Sequence, residues 1–197
     1  MSVTALTRSS QIVWTHKDQI QNCTPGTDVP RLAMSSTAED WAKTALSLFN
    51  NRRYMQAMHC YERAGLAREK AVAYAYYLRE VARSTSVTRG DTTAQAVAFI
   101  AAAEAFIASA KDAVMETKAY YRIAAECYVH AGDDHKAARA YVAATEYTLA
   151  AQHYRKAGMF EDAVNVVRSH KDKVVSTVAS SIVDVSRLFF LRERQIK

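Results

Sequence analysis

The chain has 197 residues and a formal net charge of +6, and half of its residues are hydrophobic. It contains five glycines and only two prolines, Pro25 and Pro30, which both lie near the N-terminus. A sequence so poor in breakers argues against a β-rich or loop-rich fold. Long proline-free stretches of Ala, Glu, Lys, Arg and Leu favour helices, because these side chains lose little rotamer freedom there. The composition therefore predicts an all-α protein.

The charges and cysteines exclude several further classes. Residues 51–111 are the most basic stretch, with nine basic and five acidic residues, and they lack the dense runs of a nucleic-acid-binding tail. The three cysteines have no paired spacing that would indicate a disulfide framework. We find no apolar run of about 18 residues for a membrane span and no clear signal peptide. We therefore expect an intracellular protein without a membrane contact, in either cytoplasm or nucleus.

The N-terminal segment, residues 1–35, is predicted to be irregular because Asn22–Pro30 holds both prolines and several turn formers. Ser36 and Glu39 have capping-box spacing and predict the first helix start. A helical-hairpin repeat domain is predicted over residues 36–197, which we expect to be truncated because no helix stop signal closes it. The predicted helices span residues 37–50, 54–64, 67–83, 92–110, 112–131, 134–145, 147–157, 160–170 and 174–192.

An internal repeat is the most informative feature of the sequence. Three stretches share the pattern Ala-x-x-[Cys/His]-Tyr-x-x-Ala-Gly; their structural positions are Ala57, Tyr61 and Gly65, then Ala124, Tyr128 and Gly132, then Ala150, Tyr154 and Gly158. The Ala and Tyr lie four residues apart and share one helix face, so we expect them in the seams between helices. The Gly is suited to the left-handed position that ends a helix. Because one such hairpin cannot bury its apolar face alone, the pattern predicts an irregular, TPR-like α-solenoid of stacked helical hairpins.

Two resemblances follow from these stretches. Trp41–Gly65 resembles a tetratricopeptide hairpin, with Ala57, Tyr61 and Ala64 at the expected offsets. Nearly the whole chain resembles the helical region after the core of large fungal UvrD-like helicase proteins, which are similar to the animal TPR-and-ankyrin-repeat helicase-like protein (lupus brain antigen). The stretches that carry this resemblance are Trp14–Ala33, Glu39–Trp41, Arg52–Gly65, Ala119–Tyr141 and Tyr147–Val164. The resemblance implies an all-helical accessory region, with the ATPase motifs of the family upstream and absent from this chain.

No catalytic or cofactor site is expected. The sequence has neither G-x-x-x-x-G-K-[ST] nor G-x-G-x-x-G, the glycine loops that hold nucleotide phosphates. Cys127, His130 and His135 surround one hairpin and are the best candidates for a metal site. However, Cys127 occupies the repeat position held by Cys60 and His153 in the other copies, which favours a structural role. We therefore expect no metal.

Two ideas about partners remain open at this point. The leading hypothesis is a non-catalytic interaction or scaffolding module, a fragment of a larger protein, that binds a protein or peptide. The alternative is an accessory region of a UvrD-like DNA helicase with direct nucleic-acid contact. Candidate phosphate contacts for the alternative are Arg52, Arg53, Arg63, Arg68 and Lys70, although a solvated basic face is favoured. The repeat tyrosines could stack on bases, but their helical spacing favours the core.

Overall fold

The computed structural model describes residues 36–85, 92–111, 113 and 115–196, with side chains as far as residue 194. Within these ranges the chain is all-α, which confirms the predicted fold class. The helices are α1 (Ala38–Asn50), α2 (Tyr54–Arg63), α3 (Ala67–Ser84), α4 (Thr92–Lys111), α5 (Thr117–His130), α6 (Asp134–Ala143), α7 (Tyr147–Lys156), α8 (Phe160–Ser169) and α9 (Ser176–Ile196), with a 3-10 turn at Lys171–Lys173. The segment 1–35 and the loop glycine Gly90 lie outside the described residues.

The chain divides into two compact units, Met1–Tyr77 and Leu78–Lys197. In the first unit, α1 and α2 pack together around a core of Ala45, Ala57, Cys60, Tyr61 and Ala73. In the second unit, each helix from α4 to α8 packs against the next one along the chain, and α9 packs against both α7 and α8. The core at this end is formed by Ala151, Ala163, Val167, Val174 and Ile182.

Three predicted helix starts were wrong, and α9 begins at Ser176, two residues later than predicted. The N-cap of α1 is Thr37 rather than Ser36: the Asp40 N–H donates to Thr37 Oγ1 at 3.2 Å, and the Thr37 N–H donates to the Asp40 carboxylate at 2.9 Å. The capping box thus lies one residue further on, because Asp40 rather than Glu39 reaches back to the cap. The start of α5 is at Thr117, five residues later than predicted. The helix formers before Thr117 gave no sign of the turn that allows α5 to pack against α4.

The structure shows a shorter internal repeat than the hairpin repeat predicted from the sequence. The fully buried alanines Ala124, Ala137, Ala150 and Ala163 follow one another at intervals of thirteen residues, one helix and one turn at a time. The helices α6, α7 and α8 each have ten residues and are separated by three-residue turns. The period of this part is therefore a single helix, half of the hairpin that the sequence indicated.

The turns between these helices share one geometry. Gly65, Gly132 and Gly158 have φ values of 74°, 78° and 77°, the left-handed conformation that the sequence predicted. The residue after each glycine donates its N–H to the carbonyl of the repeat tyrosine at 2.9 Å, which is the long bond of a Schellman motif. Thr145 has the same conformation, with φ 64°, and the Glu146 N–H donates to the Tyr141 carbonyl at 2.9 Å.

Thr145 therefore ends a fourth copy of the repeat, in which Ala137, Tyr141 and Ala144 match the pattern, Ala140 replaces the Cys or His, and Thr145 replaces the glycine. A β-branched residue in the left-handed region costs roughly 1–2 kcal/mol. We expect Thr145→Gly to raise the free energy of unfolding by about 1 kcal/mol, because the greater freedom of glycine in the unfolded chain offsets part of the gain. Urea denaturation of the purified chain measures this change.

The matched control is Gly158→Ala in the next turn. No heavy atom lies within 4 Å of the Cβ that this change would add, so only backbone strain should act. We expect the free energy of unfolding to fall by about 1 kcal/mol. A Thr145→Gly chain less stable than the unchanged protein would contradict the shared turn geometry.

Candidate binding groove

A groove of about 440 Å³ lies on the second unit, between α4, α5 and α6. We call it the α4–α6 groove; its lining residues are Ile107 from α4, Tyr121 and Tyr128 from α5, and Lys136, Arg139, Ala140 and Ala143 from α6. It combines apolar side chains, two phenol rings and two cationic side chains. Such a mixture of apolar walls and a few polar groups is typical of ligand-binding sites in this size range.

The cap of α6 positions Lys136 over the groove. The Asp133 carboxylate accepts the Lys136 N–H at 2.9 Å, and the Lys136 Nζ lies 3.4 Å from the same carboxylate. The Lys136 Nζ also lies 5.6 Å from the centre of the Tyr128 ring, within range of a cation–π interaction. One acidic residue thus fixes the helix start and the direction of the lysine side chain.

Arg139 lies one helical turn after Lys136 and is exposed. Burial raises the pKa of Tyr128, and the carboxylates of Glu104 and Asp133 raise it further, whereas the charge of Arg139 opposes these effects. The Arg139 charge acts in the same opposing sense on Tyr154. Within the described residues, Arg139 makes no hydrogen bond or ion pair. Because Arg139 lines the groove together with Tyr121 and Tyr128, its guanidinium is available to a ligand there.

The repeat alanines and tyrosines have core positions with one exception, whereas the repeat glycines are exposed in the turns. Ala57, Ala124 and Ala150 are fully buried, and Tyr61 and Tyr128 are 6% and 4% exposed. Tyr154 is only half-buried and packs at the edge of the core formed by α7, α8 and α9. Tyr128 has two roles, since its ring is held in the core and also lines the α4–α6 groove.

The structure does not bring the predicted phosphate contacts together. Arg52 and Arg53 lie in the turn before α2, whereas Arg63 lies at the other end of α2, followed by Arg68 and Lys70 in α3. A ten-residue helix is about 15 Å long, so the two groups lie at opposite ends of α2. Glu62 also accepts a hydrogen bond from Lys70 at 2.5 Å, which neutralises one of the five charges.

The cysteine and histidines around the second repeat turn point to packing rather than to ligand chemistry. Cys127 is buried, and burial raises the pKa of its thiol to about 11. The His130 ring stacks on Phe99 with the ring centres 5.0 Å apart, and the His135 ring lies 6.4 Å from that of Tyr154. Among the described residues, no group of three or more His, Cys, Asp and Glu side chains could hold a metal ion.

Sequence reasoning missed a polar contact that joins α6 to α7. The Asp134 carboxylate lies 2.8 Å from His153 Nδ1 and 3.1 Å from Lys156 Nζ, and the His153 ring stacks on Tyr141. The partners are about twenty residues apart in sequence, so no local pattern indicates the contact. Burial alone would raise the pKa of Asp134, but the hydrogen bonds and charges of His153 and Lys156 lower it below the ordinary value.

One helix in the described part of the chain is long and apolar enough, by length and composition, to cross a membrane. This helix is α4, and a third of its most apolar stretch is buried inside the protein. Core helices of soluble proteins pass the same test. The finding is therefore weak evidence for a membrane contact.

Comparisons with known proteins identify no relative of this chain. The chain matches no protein-family model, no curated protein and no solved structure.

Tyr128→Ala should strongly destabilise the second unit, because truncation of a buried aromatic side chain costs about 3–5 kcal/mol. Tyr154→Ala should cost clearly less, since Tyr154 is only half-buried. Thermal unfolding followed by circular dichroism measures both changes. Unchanged stability of Tyr128→Ala, together with weaker binding of single-stranded DNA, would instead indicate a base-stacking surface.

Asp134→Asn should lower the free energy of unfolding by about 1 kcal/mol at neutral pH, because His153 and Lys156 then face a neutral amide instead of a carboxylate. The pKa of Asp134 is lower in the folded chain than in the unfolded chain, so its stabilisation is present above an unfolded value of about 4. This stabilisation is lost as the pH falls through the folded pKa. The stability difference between the two proteins, measured by urea denaturation, should therefore vanish in acid.

Asp172→Asn provides the control, since Asp172 is exposed in the 3-10 turn and has no partner among the described residues. Its effect should be within about 0.5 kcal/mol at either pH. Equal losses in the Asp134 and Asp172 variants would show that the α6–α7 contact contributes nothing.

Proposed function

We propose that this chain is a non-catalytic helical-repeat interaction module, an irregular α-solenoid segment whose α4–α6 groove binds a peptide segment of a protein partner. The observation that carries the proposal is the groove itself, with Tyr121, Tyr128 and Arg139 around one concave surface. Stacked helices characteristically offer such concave surfaces to partners. Tyrosine and arginine are also the side chains that contribute most to protein interfaces.

The rigidity of the groove supports this function. Its walls come from three consecutive helices. In the Gly132 turn that joins α5 to α6, the Asp133 N–H donates to the Tyr128 carbonyl and the Gly132 N–H donates to the Val129 carbonyl. The Asp133 cap then fixes the start of α6. A preorganised site loses little conformational entropy when a ligand binds, so more of the interaction energy appears as affinity.

Exposed apolar side chains support the view that the chain is part of a larger protein. Val183, Val185, Leu188, Phe190 and Leu191 of α9 are between 37% and 67% exposed. Several large apolar side chains exposed on one helix are candidates for a surface that is covered in a complete assembly. Scaffolding within a larger protein is therefore included in the proposal.

The resemblance to the region after a UvrD-like helicase core supports a second proposal. In that case the chain is an accessory region of a DNA helicase, and it contacts nucleic acid or the motor itself. The same α4–α6 groove, with its rings and cations, is then the surface to test. Binding of single-stranded DNA to the isolated chain separates this proposal from the first.

Selection from a random peptide library displayed on phage tests the first proposal. We expect the immobilised chain to enrich specific peptides, and we expect Ala143→Trp to abolish their binding. Ala143 is exposed and lines the groove, so a large side chain there should fill the groove without disturbing the core.

Ala101→Trp is the matched control, since Ala101 is exposed on α4 and does not line the groove. Its binding of the selected peptides should equal that of the unchanged chain. Selection without enrichment, or equal loss of binding in both variants, would contradict a peptide-binding α4–α6 groove.

A further inference from the structure

We infer that the α4–α6 groove selects a peptide with a single acidic residue beside a large apolar residue, and that Arg139 binds the carboxylate of the acidic residue. This inference rests on the proposed function and specifies the chemistry of its ligand. Charge, geometry and the neighbouring acidic residues each support it.

The Arg139 guanidinium has the position and the freedom to bind a carboxylate. Arg139 lines the groove, and within the described part of the chain it forms no ion pair. A guanidinium presents its N–H donors as a planar fork that matches the two oxygens of a carboxylate. The neighbouring tyrosine rings and alanines exclude part of the solvent, which strengthens such a charged hydrogen bond relative to one in water.

Lys136 is the other cation of the groove. Its charge is partly neutralised by Asp133, which is itself held by the cap of α6. Lys136 therefore adds a moderate positive field rather than a second strong anion site. With Arg139 available and Lys136 partly neutralised, the groove is suited to a ligand that carries one carboxylate.

Acidic residues near the groove disfavour a ligand with many negative charges. Glu104 and Asp133 lie close enough to Tyr128 to raise the pKa of its phenol. The same two carboxylates would repel a run of phosphates, whereas a single carboxylate placed on Arg139 experiences less of this repulsion. The groove is therefore better suited to an acidic peptide than to a nucleic-acid backbone.

The remaining lining residues define the neighbour of the acidic residue. Ile107, Ala140 and Ala143 provide an apolar surface, and the small alanines leave space beside the Tyr121 and Tyr128 rings. A leucine, methionine or aromatic side chain can pack against these groups while the adjacent carboxylate reaches Arg139. The predicted ligand thus combines one Asp or Glu with one large apolar side chain.

The experiment uses the peptide most enriched by the phage selection, made synthetically with a fluorescein label, and a second version with Gln or Asn in place of its acidic residue. Fluorescence anisotropy gives the affinity of both peptides for the full chain and for Arg139→Gln. For the unchanged chain, we expect the amide peptide to bind about tenfold more weakly or worse, since a charged hydrogen bond is lost. For Arg139→Gln, the two peptides should bind with equal, weakened affinity.

Arg122→Gln is the matched control, because Arg122 is exposed on α5, pairs with Glu126 and Glu146, and does not line the groove. It should discriminate between the two peptides as well as the unchanged chain does. Circular dichroism melting of all variants verifies that the second unit is folded.

Enriched peptides without an acidic residue, or undiminished discrimination by Arg139→Gln, would overturn the inference while leaving the proposed function intact. Selection without any enrichment would instead overturn the proposed function. A single-stranded oligothymidylate of equal length forms the third arm. If it binds more tightly than the peptide and loses that binding in Arg139→Gln, the groove is a nucleic-acid site and the inference is wrong.

Discussion

The left-handed residue at the end of each short helix is the constraint on which the second unit depends. Once Gly132, Thr145 or Gly158 adopts positive φ, the next N–H bonds to the repeat tyrosine carbonyl and the chain leaves in a fixed direction. Each following helix then starts at the same distance from the turn. As a result, buried alanines recur every thirteen residues, and their small size lets neighbouring helices approach closely. Of these turns, the one at Gly132 sets the position of α6 against α5, and these two helices supply most of the groove lining.

Much of this fold could be predicted from the sequence. A glycine four residues after a repeat tyrosine indicates a helix end, because few residues other than glycine adopt the left-handed conformation there. The prediction failed where another residue performs the same task. Thr145 takes the glycine conformation and Ala140 the cysteine position, so the copy that ends at Thr145 was invisible to pattern matching. The start of α5 was missed for the opposite reason: neither glycine nor proline lies between Lys111 and Thr117, so the sequence contains no stop signal there.

The groove was harder to predict, since it depends on contacts between distant residues. A search by charge density found the arginines around α2, which the fold places at opposite ends of that helix. Arg139 stands out only after folding, when Tyr128 and Ile107 come to line the same surface. Lys136 and Arg139 are three residues apart in α6, but this spacing gives no information that Asp133 holds the lysine and leaves the arginine available.

Tyr128 links the fold of this unit to the binding function that we propose for it. Its carbonyl closes the turn after α5, its ring is nearly buried, and the same ring lines the groove. The groove therefore cannot change shape without disturbing the turn that sets the position of α6. For the proposed peptide-binding function, this means that ligand preference is better varied through exposed groove residues, such as Arg139 and Ala143, than through the repeat residues themselves. The repeat tyrosines, alanines and turn residues are committed to helix stacking, so the specificity that we propose depends on a few exposed positions between them.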